Sequence, residues 1–252
     1  MKTSNSGSLS TPPQRASNAE NADPRWNSLY TIGAAAALFG VAIIPVQLLV
    51  FIAWGQPDTA LGWFELFQNN KLAGLLAFEL LFVVNAAVGI ATTLALYVAL
   101  RRVNESFMTI ALGLGLLEAV AFVVARPALE MLHLSNQYAA ATTDAQRAMF
   151  LAAGEAMLAT FDGTAFHVGI NLFSVYFLIV PIVMLRSNIF GRVTAYLGIA
   201  AAILNWGIYV PGEIGFFVFT ISILPLAVWN VLIARKLFQL GKGFAKDEAN
   251  RT

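Results

Sequence analysis

The sequence predicts an all-α, polytopic membrane protein: a six-transmembrane-helix bundle with a short amphipathic helix in the outer loop between helices 3 and 4. Three observations support this class. Hydrophobic residues make up 58% and charged residues 12% of the 252 residues, whereas charged residues make up roughly 25% of soluble domains. Six apolar runs are long enough to cross a bilayer, and basic residues collect on one side of them. Strands of a membrane barrel would alternate over about ten residues, and these runs do not, so helices are expected.

The two ends of the chain read as cytosolic tails that flank a membrane domain over residues 29–240. Residues 1–28 are rich in Ser, Asn, Thr and Pro and contain no apolar run, which is typical of disorder. A cleavable signal peptide would need a short hydrophobic stretch directly after a basic start, and this is not present. Residues 241–252 are expected to form the C-terminal tail.

The membrane domain is expected to contain six spans, each reaching or approaching the ~20 residues that a ~30 Å hydrocarbon core requires. The predicted spans cover residues 29–54, 71–100, 107–132, 163–185, 193–210 and 216–237.

The basic residues predict the orientation of these spans. Twelve of the 15 lie before the first span, after the second, after the fourth, or at the end of the chain: Lys2, Arg15, Arg25, Arg101, Arg102, Arg186, Arg192, Arg235, Lys236, Lys242, Lys246 and Arg251. The opposite loops hold only Lys71 and Arg147. By the positive-inside rule, both termini are expected in the cytoplasm and the protein in the plasma membrane.

The long outer loop, residues 135–162, has a helix signature of its own. Thr143 and Gln146 have the spacing of a capping box, and apolar residues then recur at helical intervals up to Phe161. The predicted amphipathic helix would either pack over loop ends or form a cap above an outward-facing pocket.

Composition removes several functional classes. The net charge is +1 and the basic residues form no face with interleaved aromatics, so nucleic acid is not an expected partner. A chain with no cysteine has no disulfides, thiolate nucleophile or iron–sulfur cluster. No cofactor is predicted, and no metal site, because His133 and His167 lack a ligand-like spacing.

Ionisable and amide side chains inside the apolar runs are the candidates for function, because such groups are costly in lipid. The predicted site consists of Glu79, Asn85, Glu118, Arg126, Glu130, His167 and Asn171. At about 1.5 Å per residue, Glu118 falls ~15 Å into the third span, near the midplane. Arg126 and Glu130 are spaced for an i,i+4 ion pair. These groups are expected to converge on one outward-opening cavity; the alternative is that they serve only as hydrogen-bond glue between helices.

Three functional hypotheses follow. The leading one is non-enzymatic: binding, sensing or passage of a small polar or amphipathic molecule or ion, with Glu118 as its charged partner and Arg126 as a counter-ion. The second is a membrane-embedded hydrolase or transferase that uses His133, Asp162 and His167, with or without a metal. The third is a structural or partner-binding subunit, and a homo-oligomer is also open.

Two segments resemble a known bacterial family. They are Leu96-Tyr-Val-Ala-Leu-Arg-Arg-Val-Asn-Glu-Ser106 and Leu116-Leu-Glu-Ala-Val120, with similar junction residues at 185–187 and 197–198. This pattern resembles the multipass membrane family catalogued as domain of unknown function 4386. The resemblance implies a six-helix bacterial membrane protein of uncharacterised activity. Gly115 and Gly191 stand where that family often has Arg and Pro, so any partner of Glu118 must come from elsewhere.

Overall fold

The computed structural model describes residues 24–249 and the side chains of residues 25–242, and this part of the chain contains helices and no strands. A 3-10 turn, Pro24–Trp26, precedes the first helix, and a second one, Trp206–Tyr209, follows the ninth. The helices are α1 (Asn27–Trp54), α2 (Ala60–Asn69), α3 (Lys71–Ala77), α4 (Leu80–Leu100), α5 (Glu105–Val124), α6 (Ala128–Ala140), α7 (Asp144–Phe161), α8 (Thr164–Leu185), α9 (Arg192–Asn205), α10 (Glu213–Ile221) and α11 (Ile223–Ala249). Residues 1–23 of the predicted N-terminal tail lie outside the described residues.

Six of these helices form a closed ring. Helix α1 packs on α4, α4 on α5, α5 on α8, α8 on α9, α9 on α11, and α11 on α1. The core inside the ring is aliphatic and aromatic, with Trp229, Phe177 and Leu96 among its buried members. The outer faces of the same helices expose large apolar side chains such as Leu49 and Leu117. A helix that is apolar on both faces is typical of a membrane span.

Four of the other five helices form a cap at one end of the ring, and the fifth, α10, packs on α9, α11 and the second 3-10 turn. Helices α2, α3, α6 and α7 pack on one another and on the last turns of α1. Their shared core contains Trp63, Phe67, Phe78 and Met131, with the Trp63 and Phe78 rings 4.7 Å apart. The cap therefore has a hydrophobic core of its own, separate from that of the ring.

The ends of the described chain lie together at the end of the ring that faces away from the cap. Arg101, at the end of α4, lies over the Trp26 ring at 5.8 Å, and the Gly241 backbone is next to Asn27 and Thr31. The basic residues of the predicted inner loops therefore share one end of the bundle with both ends of the described chain.

Within the described residues, five segments are long and apolar enough to cross a membrane, which identifies a membrane protein. They are Asn27–Trp54, Leu80–Leu100, Glu105–Ala140, Asp144–Leu185 and Glu213–Lys242. The predicted count was six. The difference is the predicted span 193–210, where α9 has only 14 residues and then tightens into the second 3-10 turn.

Three predicted spans are interrupted. Residues 71–100 break between α3 and α4, residues 107–132 between α5 and α6, and residues 216–237 between α10 and α11. Proline explains two of the breaks, since Pro127 and Pro225 lack the N–H that a continuous helix needs, and their rings clash with the preceding turn. The break at Glu79 has no proline and was not anticipated.

Side-chain caps are present at the starts of four helices, α2, α3, α5 and α7. The capping box of α7 is present: Thr143 accepts a hydrogen bond from the Gln146 backbone, and the Gln146 side chain accepts one from the Thr143 backbone. Asn104 caps α5 in the same manner, by accepting from Phe107 N. Helix α2 was not predicted; Thr59 caps it, and Gly55, with φ of 68°, ends α1 before it.

Candidate functional site

A buried ion pair lies at the junction between the ring and the cap. Arg126 Nε donates to Glu79 Oε2 at 2.6 Å, and the two side chains are only 4% and 14% exposed. The residues are 47 positions apart in the sequence. Each one sits at a helix break, so two interrupted segments meet through opposite charges.

The break at Glu79 is built from strained backbone and from glutamine side chains. Glu79 has φ of 63°, the only non-glycine residue with positive φ in the described part of the chain, a conformation that costs roughly 1–3 kcal/mol. The break takes the last carbonyls of α3 out of regular helical pairing, and Leu76 O accepts from Glu79 N at 3.1 Å instead. Gln47 donates to Leu76 O at 3.0 Å, and Gln56 donates to Ala77 O at 3.1 Å. These contacts hold the carboxylate of Glu79 at the start of α4.

The break at Arg126 comes from the proline that follows it. A residue before proline is disfavoured in the helical conformation, and α5 ends at Val124. The guanidinium then turns toward the last turn of α7, where Nη1 donates to Phe161 O at 2.8 Å, and Nη1 also donates to Ala125 O at the end of α5 at 3.3 Å. Arg126 thus joins α4, α5 and α7.

Three aromatic rings enclose the guanidinium. Its Cζ lies 4.0 Å from the Phe161 ring centre, 4.8 Å from that of Phe166 and 4.9 Å from that of Phe122. These rings come from α7, α8 and α5. Cation–π contacts at such distances are attractive and are strongest where water is excluded. The enclosure leaves the edge of the guanidinium plane as its route to further partners.

Both members of the pair keep unused hydrogen-bonding capacity. Arginine has five N–H donors, and here Nε and Nη1 account for three hydrogen bonds, while Nη2 has no acceptor among the described residues. Glu79 Oε2 accepts from Arg126, and Oε1 accepts from no described residue. The site can therefore take both an acceptor and a donor from a ligand.

The predicted pairing of Arg126 with Glu130 is not formed. The helix break removes the i,i+4 geometry, and Glu130 lies exposed in the first turn of α6. Arg126 also forms no ion pair with Glu118, which lies two turns earlier on α5 and whose partner was expected to come from elsewhere. The expected Arg126–Glu130 pair assumed one continuous helix over 107–132, and Pro127 interrupts it.

Glu118 and Asn85 lie inside the ring, away from the pair. Glu118 has no hydrogen bond or ion pair with another described residue, and Gly115, about one turn earlier on α5, lies against Thr93 and Tyr176. The Asn85 amide packs against Gly40 of α1, with its Oδ1 only 2.9 Å from where a Cβ would be.

His167 and Asn171 belong to a polar seam between α8 and the end of α9. Asn171 Nδ2 donates to Tyr209 Oη at 2.7 Å, and Trp206 Nε1 donates to Asn171 Oδ1 at 3.2 Å. The His167 ring lies 5.7 Å from that of Tyr209 and 5.5 Å from that of Phe166. Phe166, which also covers Arg126, links this seam to the ion pair.

The seven predicted site residues thus fall into separate places: Glu79 and Arg126 form the ion pair, Glu118 and Asn85 lie singly inside the ring, His167 and Asn171 belong to the seam, and Glu130 is exposed on α6. Within the described residues no group of three His, Asp or Glu side chains could hold a metal ion. A pocket of about 260 Å³ opens in the cap, and none of the predicted residues lines it; its lining is Phe64, Glu65, Gln68, Asn69, Tyr138 and Ala139.

Several site residues were not found from the sequence. Phe122, Phe161 and Phe166 have no polar atom and looked like ordinary apolar residues of their helices. Gln47 and Gln56 are the exceptions, because a glutamine such as Gln47 inside an apolar run is costly unless it is hydrogen-bonded. That signal could have directed attention to a helix break nearby.

A family model described as domain of unknown function 4386 matches residues 28–234. The match confirms the resemblance seen around Arg101, Arg102 and Glu118. No curated protein and no solved structure matches the chain.

Proposed function

Since the chain belongs to the family described as domain of unknown function 4386, which brings no activity with it, we propose a function from geometry alone: this membrane protein binds a small polar or amphipathic molecule, without catalysis, at the Glu79–Arg126 pair beneath its cap. The observation that carries the proposal is the unused capacity of a buried charged pair. Neither of the two atoms with spare capacity is among the fully buried side-chain atoms that lack a hydrogen-bond partner, so both atoms can be reached from outside the site. Here Nη2 of Arg126 and Oε1 of Glu79 have no partner among the described residues.

The proposal includes six membrane crossings. Helix α9 contributes about 21 Å and the 3-10 turn after it about 8 Å, so together they approach the ~30 Å of a hydrocarbon core. The closed ring supports a sixth span, because α9 occupies a full place between α8 and α11. The basic end of the bundle lies in the cytoplasm with both termini, and the cap, including α7, lies outside a bacterial plasma membrane.

Within this arrangement the pair lies at the outer boundary of the membrane. Helices α4 and α5 have 21 and 20 residues, or about 30 Å each, and Glu79 and Arg126 lie just past their cap-side ends. At this level a ligand can arrive from water through the cap or from the lipid headgroups.

Binding is favoured over the two other hypotheses for different reasons. Hydrolysis by His133, Asp162 and His167 requires those groups to meet at one point, and all three are exposed on different elements. A structural role between helices requires only that Glu79 and Arg126 hydrogen-bond to each other. Each partner also has an unused hydrogen-bonding group, and three aromatic rings surround the guanidinium. A purely structural ion pair needs neither feature.

The test is ligand-induced stabilisation of the purified chain in neutral maltoside micelles. The probes are dodecanoate, dodecyl phosphate, dodecylamine and a short-chain phosphatidylethanolamine. At least one is expected to raise the unfolding midpoint of the wild type in a saturable manner, and to bind roughly tenfold or more weakly to Arg126→Lys, because lysine keeps the charge and loses the planar fork.

The matched control is Arg147→Lys on the exposed face of α7, which should bind like wild type. If every probe leaves the wild type unchanged, or stabilises Arg126→Lys equally, the pair is glue and the proposal is wrong.

A further inference from the structure

We infer that the ligand is zwitterionic, with an ammonium group for Glu79 and an oxyanion for Arg126. This inference rests on the proposed function and specifies its ligand class. It starts from the charge of the site: one guanidinium and one carboxylate, 2.6 Å apart and nearly enclosed, sum to zero.

The positive half of the site offers two donors in one place. Nε is occupied by Glu79, and Nη1 by the carbonyls of Phe161 and Ala125. The two N–H groups of Nη2 have no acceptor in the described part of the chain. An oxyanion approaching in the guanidinium plane would complete the hydrogen bonding of Arg126 with charge-assisted bonds.

The negative half offers one oxygen. Glu79 Oε1 has no donor among the described residues, and the Glu79 side chain is more exposed than that of Arg126, at 14% against 4%. An ammonium group, which has only donors, fits this oxygen. The partly open carboxylate is the side from which a cationic group can approach.

A ligand with a single charge fits this site poorly. A simple anion at Nη2 would also face the carboxylate of Glu79, and like charges in a water-poor site repel strongly. A simple cation at Glu79 would face the guanidinium in the same way. A dipolar ligand presents the opposite charge to each partner and leaves the site neutral, which is electrostatic complementarity in its usual sense.

The aromatic rings restrict how the ligand is oriented. Phe161, Phe166 and Phe122 cover the guanidinium at 4.0–4.9 Å, so the oxyanion must arrive at its edge. The same rings give an apolar wall for the carbons that join the two charges of the ligand.

Two sources supply this chemistry. At the outer membrane boundary, the headgroup of a zwitterionic phospholipid presents a phosphate and an amine. A free zwitterion, such as phosphoethanolamine or an amino acid, presents the same charges from solution.

The experiment compares four probes on the full chain in neutral maltoside micelles: diheptanoyl-phosphatidylethanolamine, free phosphoethanolamine, dodecyl phosphate and dodecylamine. Dissociation constants come from tryptophan fluorescence, and stabilisation comes from the unfolding midpoint. The wild type is expected to bind one or both ethanolamine probes roughly tenfold or more tightly than either singly charged probe. A preference for the phospholipid identifies a lipid site, and equal binding of free phosphoethanolamine identifies a soluble ligand; either supports the inference.

The Glu79→Gln variant tests the inference through the order of the probe affinities, which a simple loss of stability would not reverse. It should reverse the preference, weakening the ethanolamine probes and strengthening dodecyl phosphate, because the site then carries a net positive charge. Glu130→Gln, on the exposed start of α6, is the control and should keep the wild-type order. Arg126→Lys repeats the measurement if Glu79→Gln does not fold, and it should weaken both ethanolamine probes.

The inference is wrong if dodecyl phosphate binds the wild type as tightly as the zwitterions, or if Glu79→Gln leaves the order of affinities unchanged. In either case Arg126 would still bind a ligand that accepts hydrogen bonds, so the proposed function would stand while the zwitterion inference would not. If no probe binds, both fail.

Discussion

Removing the charge of Glu79 should destabilise the protein strongly. In Glu79→Gln, Arg126 stays in place with a side chain that is 4% exposed and keeps only carbonyl partners. Breaking a buried pair on one side costs about 3–5 kcal/mol. The lower end, about 3 kcal/mol, applies here because the Phe161 carbonyl still accepts from Nη1 at 2.8 Å and because glutamine retains an acceptor.

A double-mutant cycle separates this charge effect from lost packing. Arg126→Met should also destabilise, because Glu79 is then left without its cation. The double variant Glu79→Gln with Arg126→Met should be markedly more stable than the sum of the two single effects, with a coupling of about 2 kcal/mol or more, since no uncompensated charge remains.

Equilibrium unfolding in mixed micelles measures these differences. The chain has five tryptophans; Trp63 lies in the cap core and Trp229 in the ring core, so single-tryptophan versions report on each part. Arg147→Gln disrupts only an exposed contact with Asp144 and should leave stability unchanged. Strictly additive single effects, or a Glu79→Gln variant as stable as the control, would refute the reasoning.

Three further predictions follow. Because the chain has no cysteine, single cysteines report topology directly: Thr142→Cys in the cap should react with an impermeant maleimide on intact cells and Asn188→Cys only after permeabilisation, and the reverse pattern would contradict the proposed orientation. A Cβ at Gly33 would lie 2.6 Å from that of Ala95, so Gly33→Ala should destabilise by about 1–3 kcal/mol, whereas Gly113→Ala, with nothing within 4 Å, should be neutral or stabilising; equal midpoints in thermal unfolding would disprove the close α1–α4 contact. Thr143→Ala should lose the α7 capping box at about 1 kcal/mol, seen as faster amide exchange in the first turn of α7, while protection that matches wild type would show that the cap is dispensable.

Much of the fold follows from local sequence signals. Five of the six predicted spans overlap segments that are long and apolar enough to cross a membrane, because the need to satisfy backbone groups in lipid favours helices. The capping box at Thr143 and Gln146 formed as its spacing indicated. Pro127 and Pro225 could have been used to predict two of the breaks, whereas the break at Glu79 carries no proline or glycine.

The sequence by itself determined the class of protein and the small set of charged residues within its apolar runs, since hydropathy and charge placement are properties of consecutive residues. It also named Glu79 and Arg126 among the candidate residues. It did not pair them, and the nearest complementary residue, Glu130, was the wrong partner.

The tertiary structure alone decided how these charges are used. Glu79 and Arg126 are 47 residues apart, and they meet because α4 packs on α5 and two helix breaks come to the same level. The rings around the guanidinium come from three helices, and no local pattern encodes that meeting. The pairing of Glu79 with Arg126 and the enclosure of the guanidinium depend on how the helices pack. Packing results from many weak contacts between residues that are distant in sequence, so it cannot be inferred from neighbouring residues.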